Sequence, residues 1–141
     1  MFTGLLYSII PKKSRRTGQN VLHREGKKDK CDIYGVLYET DDNVQFLDGS
    51  TSLTSPNIVA LARNLDALPE TDNWKQFSFK FEPKNGKSID SDKLEKGIYK
   101  LAIVFSSSVD GGKFEGAVGS TLYIDKVVIE HTSNPNEYPA N

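Results

Sequence analysis

One cysteine, one methionine, one tryptophan and two histidines stand among 141 residues, and these scarcities remove whole classes of explanation. Cys31 alone closes no internal disulfide, so no cystine framework holds the chain together. His23 and His131 are too few for a histidine-rich metal cage, and no C-x-x-C or H-E-x-x-H spacing occurs. No apolar run approaches the roughly 18 residues that a helix needs to cross a bilayer. Neither sign of charge dominates: 18 Lys and Arg against 19 Asp and Glu leave −1, which does not advertise a nucleic-acid binder. With 37% hydrophobic and 26% charged residues the composition is that of a globular chain. Its length suits one domain that buries roughly two-thirds of its unfolded surface.

The near-zero net charge conceals an asymmetry. Residues 1–30 carry eight basic and two acidic side chains, hence +6, and the remaining 111 carry ten basic and seventeen acidic, hence −7. A basic arm on an acidic body can bind polyanions by counterion release, or it can simply be a solvated segment. No aromatic residue interleaves the charges between Lys12 and Lys30, so a base-stacking platform is missing and nucleic acid is not expected as a partner. The opening MFTGLLYSII has no basic residue ahead of its apolar stretch and no small-residue cleavage site behind it, so it reads as a strand ended by Pro11 rather than an export signal.

From Cys31 onward short apolar runs alternate with turn chemistry, the pattern of an all-β protein. Residues 33–38 are β-branched and aromatic, and Thr40-Asp41-Asp42-Asn43 closes them. Residues 44–47 read as a short strand. Residues 74–81 alternate strictly, with Phe77, Phe79 and Phe81 on one phase and Trp74, Gln76 and Ser78 on the other. Pro83, Asn85 and Gly86 mark a turn. Residues 99–105 (YKLAIVF) are apolar on both phases, which predicts a central strand covered on both faces. In residues 120–130 the apolar phase switches at Asp125-Lys126, which predicts a β-bulge there. Within residues 57–68 the positions Ile58, Leu61, Ala62, Leu65 and Leu68 follow helical spacing between Pro56 and Pro69. The tail, residues 131–141, reads as irregular.

Signatures of chemistry are scarce. No G-x-S-x-G elbow and no phosphate-binding G-x-x-x-x-G-K-S/T is present. Ser106-Ser107-Ser108 lacks a nearby base and reads as a loop. Cys31 follows three lysines, yet a small residue opening a strand is the simpler use. Glycoside hydrolysis would need two carboxylates facing across a cleft, and Glu39, Glu115 and Asp125 are the acids nearest strand ends. Glu115 sits in a loop flanked by Gly116 and Gly119. Asp125 lies mid-strand, where it can cap the free amides of a bulge or, as the alternative, contribute to a structural calcium site.

The stretches CDIYGVLYET (31–40), SPNIVALAR (55–63), WKQFSFKFE (74–82) and YKLAIVFSSSVDGGKFEGAVGSTLYIDKVVI (99–129) resemble the putative carbohydrate metabolism domain of exported Bacteroidetes proteins. The resemblance runs from about Asp29 to Glu130. It implies a jelly-roll-like antiparallel β-sandwich akin to carbohydrate-binding modules, makes residues 57–63 a strand against their helical spacing, and implies an extracellular or outer-membrane-surface location. It brings no catalytic residues. The family's strands ahead of C-D-I-Y are replaced here by the basic arm, a departure that raises an N-terminally truncated or rearranged sheet as an expectation.

The combined reading is an apolar start and basic arm (1–30), a β-sandwich domain (31–130) and a tail (131–141). Its function is non-catalytic recognition of an oligo- or polysaccharide, with a protein-binding adhesion domain and a glycoside-active enzyme as the alternatives. Sugar recognition needs a flat aromatic under a pyranose C–H face and a few fixed polar groups. The candidate platforms are Tyr34, Tyr38, Trp74 and Tyr123; the candidate polar groups are Asp32, Glu39 and Glu115. In residues 12–30 only Val21-Leu22 offers a large apolar pair, so little burial offsets the entropy of ordering the arm. Limited proteolysis is expected to cut the arm first; protection equal to that of residues 99–105 would show it integrated in a sheet.

Overall fold

A computed structural model describes residues 30–68, 73–110 and 121–130, and residues 2–9 through their backbone and strand register. The basic arm as far as Asp29, the loop holding Glu115 and the C-terminal tail lie outside the described residues. The architecture is all-β and antiparallel: β1 (Phe2–Ile9), β2 (Asp32–Glu39), β3 (Ile58–Arg63), β4 (Lys75–Phe79), β5 (Glu82–Pro83), β6 (Tyr99–Ser106) and β7 (Thr121–Ile129). A single helical turn, α1 (Ser91–Glu95), precedes β6, and a 3-10 turn at Leu65–Ala67 follows β3. No helix among the described residues is long and apolar enough to cross a membrane.

The strands form a three-stranded sheet in the order β4-β1-β7 and a four-stranded sheet in the order β5-β3-β2-β6. The opening apolar stretch is thus the middle strand of the smaller sheet. Cys31, Ile33, Ala62 and Leu68 from the larger sheet and its flank form one buried cluster with Phe77 and Phe79 of β4; Phe81, Ile103, Leu122 and Ile124 pack on its rim. The two sheets therefore share an apolar core. Phe81 remains on that core as the chain passes from β4 to β5.

The other face of the larger sheet is buried too. Tyr34, Val36 and Ile58 cluster there beneath Leu47 and Leu53 of the 40–57 loop. That loop is tied down by side chains rather than by strand pairing. Asp41 Oδ1 accepts from the backbone amides of Asn43 and Val44, and Gln45 Nε2 donates to the Asp41 carbonyl. This Asx turn is why residues 44–47 form no strand, contrary to their apolar pattern. Asn57 Nδ2 donates to the Glu39 carbonyl at 3.0 Å and to Asp41 Oδ2 at 2.8 Å, closing the base of the loop. Lys100 Nζ donates to the Gln45 carbonyl and lies 4.1 Å from the ring centroid of Phe46.

Two strands differ from what periodicity alone predicts. Residues 58–63 are a strand, not a helix: Ile58, Val59, Ala60 and Ala62 are all buried, because β3 lies between β2 and β5 with apolar layers on both faces. A strand covered on both faces is apolar throughout, and a helical subset can be picked from any such run. β6, expected at the centre of a sheet, is the last strand of its sheet among the described residues. Its two-faced apolar pattern still has a use, since Ile103 meets the inter-sheet cluster and Val104 the roofed one. The edge position leaves Leu101 and Phe105 41% and 42% exposed.

The bulge in β7 stands where the phase switch placed it. β1 pairs Leu5 with Asp125 and then Thr3 with Val128, so Lys126 and Val127 together oppose Gly4. Lys126 takes a positive φ of 52°. Val127, Val128 and Ile129 beyond it all stay partly exposed, so the bulge does not restore a fully buried face.

Gly35 is required by packing. A Cβ built there would lie 2.7 Å from Cζ of Phe81. Gly35→Ala is expected to destabilise the fold by about 1–3 kcal/mol, the usual cost of overpacking. Adding Phe81→Leu should recover part of the loss in a denaturant titration; strictly additive losses would show that the two residues do not compete for one volume.

Candidate functional site

Of the two outer sheet faces, that of the larger sheet is roofed by the 40–57 loop, and three of the sequence candidates lie under it. Tyr34 and Tyr38 are 7% and 4% exposed, and the Tyr34 hydroxyl hydrogen-bonds Ser52 Oγ at 2.8 Å. Asp32 is buried and receives a two-pronged bond from Arg63: Nε to Oδ1 at 3.0 Å and Nη2 to Oδ2 at 2.6 Å. That pairing raises the Arg63 guanidinium above its ordinary value, against the opposing effect of burial. Arg63 also lies 5.6 Å from the Tyr34 ring centroid. These rings and this carboxylate belong to the packed interior. Arg63 as the partner of Asp32 was not singled out from sequence, although strand register makes it Tyr34's neighbour.

Glu39 ends β2 at the rim of the roof. Its Oε1 accepts from Lys93 Nζ at 2.7 Å and its Oε2 from Lys87 Nζ at 3.2 Å, which ties α1 and the turn after β5 to β2. The Lys93 bond, more than the Lys87 bond, holds the Glu39 carboxyl below its ordinary value, against a smaller opposing effect of desolvation. Asp32 and Glu39 are seven residues apart on one strand, roughly 23 Å. Each is matched to cations, so they do not form the facing pair, roughly 5–10 Å apart, of a glycosidase.

The outer face of the three-stranded sheet is different. Phe77 and Phe79 point into the core, so period two directs Trp74, Gln76 and Ser78 to the opposite side. On β7, Leu122 and Ile124 pack inward, so Tyr123 and Asp125 face outward. Trp74 is 52% and Tyr123 47% exposed. The register relates them. Lys75, which follows Trp74, pairs with Leu6, and the next residue of β1, Tyr7, pairs with Tyr123. The neighbouring row places Leu5 between Gln76 and Asp125. Two exposed aromatic side chains at the outer strands thus stand beside two exposed polar ones.

Asp125 caps the bulge: its Oδ1 accepts from the backbone amide of Lys126 at 2.8 Å. Among the described residues no group of three or more His, Cys, Asp or Glu side chains gathers to hold a metal ion. Glu115 lies outside the described residues. Gln76 was not singled out from sequence; its place on the Trp74 phase was the available signal.

Comparison with known proteins agrees with the resemblance read from sequence. The model of the family described as putative carbohydrate metabolism domain matches residues 7–130. A crystal structure described as a putative glycoside hydrolase from Bacteroides thetaiotaomicron is 43% identical and superposes with a TM-score of 0.83 over 94% of this chain. A second, described as a putative glycoside hydrolase from Bacteroides vulgatus, is 35% identical with a TM-score of 0.75 over 89% of this chain. This chain spans 38% of the first and 49% of the second. No curated protein matches it.

The Glu39 ion pairs fix a sign for the acid response. A carboxyl whose folded value is lowered contributes stability that is fully present above its ordinary value of 4.5 and is lost as pH falls through the folded value. Asp41, held low by its bond from Asn57 and by the amides of Asn43 and Val44, acts in the same direction. Melting temperature is therefore expected to fall on acidification below about pH 4.5, and Glu39→Gln to flatten part of that fall. An identical acid limb in the variant would show that Glu39 contributes nothing to it.

Proposed function

From the premise that this chain belongs to the putative carbohydrate metabolism domain family, we propose that it is a non-catalytic carbohydrate-recognition module with a β-sandwich fold. Its site is the outer face of the β4-β1-β7 sheet. The observation that carries the proposal is the pairing of two half-exposed aromatic side chains, Trp74 and Tyr123, with Gln76 and Asp125 one row along. Aromatic faces bind the C–H face of a pyranose through dispersion and CH–π contact, and the amide and carboxylate orient its hydroxyls. A sheet holds such groups at fixed spacing, so little side-chain ordering is lost on binding.

Two further observations support recognition over hydrolysis. Asp32 and Glu39, both bound in ion pairs, are committed to holding the fold. Asp125 has one carboxylate oxygen on the backbone of its own bulge. In a longer polypeptide the domain would act as an accessory that keeps its partner domains on a glycan at the extracellular or outer-membrane surface, where polysaccharides are met.

Trp74→Ala tests the site. Removing a half-exposed stacking aromatic should weaken polysaccharide binding by about 1–2 kcal/mol, measured by affinity electrophoresis or calorimetry, with little change in melting temperature. A stable variant that binds as wild type would overturn the site; loss of about 3–5 kcal/mol of stability would place Trp74 in the core instead. The purified chain should release no reducing sugar from a polysaccharide that it binds.

A further inference from the structure

The sheet geometry says more about the ligand than that it is a sugar, and this step rests on the carbohydrate-recognition reading. We infer that the ligand is a single, extended, ribbon-like polysaccharide chain that runs across the strands, from Trp74 at the start of β4 over β1 to Tyr123 on β7. The sheet order puts one strand between the two aromatic residues; Lys75, which follows Trp74, pairs with Leu6 of β1, and Tyr123 pairs with the next residue, Tyr7, so both aromatics flank the same stretch of β1. Two strand spacings separate their backbones by about 9.5 Å. That span is close to the two-residue repeat of an extended sugar chain, so Trp74 and Tyr123 would stack on the first and third of three consecutive rings, with the middle ring over β1.

The linkage class follows from the requirement that both rings present a C–H face to the same plane. Equatorially linked pyranoses, such as β-1,4-linked chains, form a ribbon in which every second ring shows the same face. Axial linkages, as in α-1,4-glucans, coil the chain and turn alternate rings away from a common plane. Gln76 and Asp125, one row along the strands, would line one edge of the ribbon and meet its equatorial hydroxyls. The sheet also twists by roughly 20–25° per strand, so the two stacking positions are turned by about 40–50° relative to each other. A single chain follows that turn by small rotations at its glycosidic bonds, whereas the flat face of a crystalline polysaccharide does not. The ligand is therefore a soluble or amorphous chain.

The protein retained in affinity gels containing xylan, glucomannan, hydroxyethyl cellulose, amylose or dextran reads the linkage class. Retention is expected in one or more of the first three and not in amylose or dextran. Calorimetry with oligosaccharides of one to six residues from the retained glycan then reads the span. Affinity should rise about tenfold between the disaccharide and the tetrasaccharide, as the second aromatic contact is gained. Tyr123→Ala should remove that rise, so that the tetrasaccharide binds no tighter than the disaccharide. Equal affinity for monosaccharide and hexasaccharide, preferential retention by amylose, or tighter binding to crystalline than to amorphous cellulose would each overturn the extended-chain inference while leaving carbohydrate recognition intact. Retention by none of the five gels would overturn the recognition reading itself.

Discussion

β2 is buried on both of its faces, and most of the larger sheet is arranged to keep it so. Residues 31–36 are all buried, with Ile33 turned to the core shared with the smaller sheet and Tyr34 and Val36 turned to the core beneath the 40–57 loop. One carboxylate, Asp32, falls within this stretch. A charge in that position costs far more unpaired than paired, which explains why Arg63 leaves the strand edge to bind both of its oxygens. The same double burial demands a glycine at position 35, where Phe81, on the passage from β4 to β5, presses against the strand from the inter-sheet core.

From this constraint the geometry of the proposed site follows by subtraction. The loop that seals one face of β2 also removes the outer face of the larger sheet from solvent, and with it Tyr34 and Tyr38. The outer face of the β4-β1-β7 sheet carries no such roof among the described residues, and it presents Trp74, Gln76, Tyr123 and Asp125 at fixed register. The ion pairs of Glu39 fasten α1 and the turn after β5 at the rim of the roof, away from that face. On the proposed reading stability and recognition fall to different sheets, so a substitution in the aromatic row should leave the core undisturbed.

Much of the fold was legible where pattern and turn chemistry agreed. Strict alternation in residues 74–81 gave a half-buried strand, which forms over Lys75–Phe79, and the phase switch at Asp125-Lys126 gave the bulge. The Asn85-Gly86 pair, both at positive φ, gave a turn. Legibility failed where burial on both faces erased the period. The 58–63 run matched a helical stripe by coincidence, and only family resemblance pointed to the strand. The 99–105 run read as central although it borders its sheet, because two covered faces, not two neighbouring strands, make a strand apolar throughout. The helical turn at Ser91–Glu95 went unread, yet its signals were present in Asp90, which caps the amides of Asp92 and Lys93, and in Gly97 beyond its end. Of the candidate site residues, Trp74 and Tyr123 share an exposed face, Tyr34, Tyr38 and Asp32 share an interior one, and Glu39 serves an ion-pair network. Which aromatic residues line a core and which line a surface is decided by the loop folded over β2, and no local pattern in residues 31–40 encodes that loop's position.

The chain contains a single tryptophan, so emission excited selectively at the red edge of the indole band, where its six tyrosines do not absorb, reports on Trp74 alone. Titrating the intact protein with a polysaccharide that retains it in an affinity gel should shift or quench that emission, saturably and with the same midpoint as the calorimetric heat, because a half-exposed indole is taken out of water by a sugar ring. Saturating heat with an emission spectrum that does not change would contradict the account, since the glycan would then be bound somewhere other than the outer face of the three-stranded sheet.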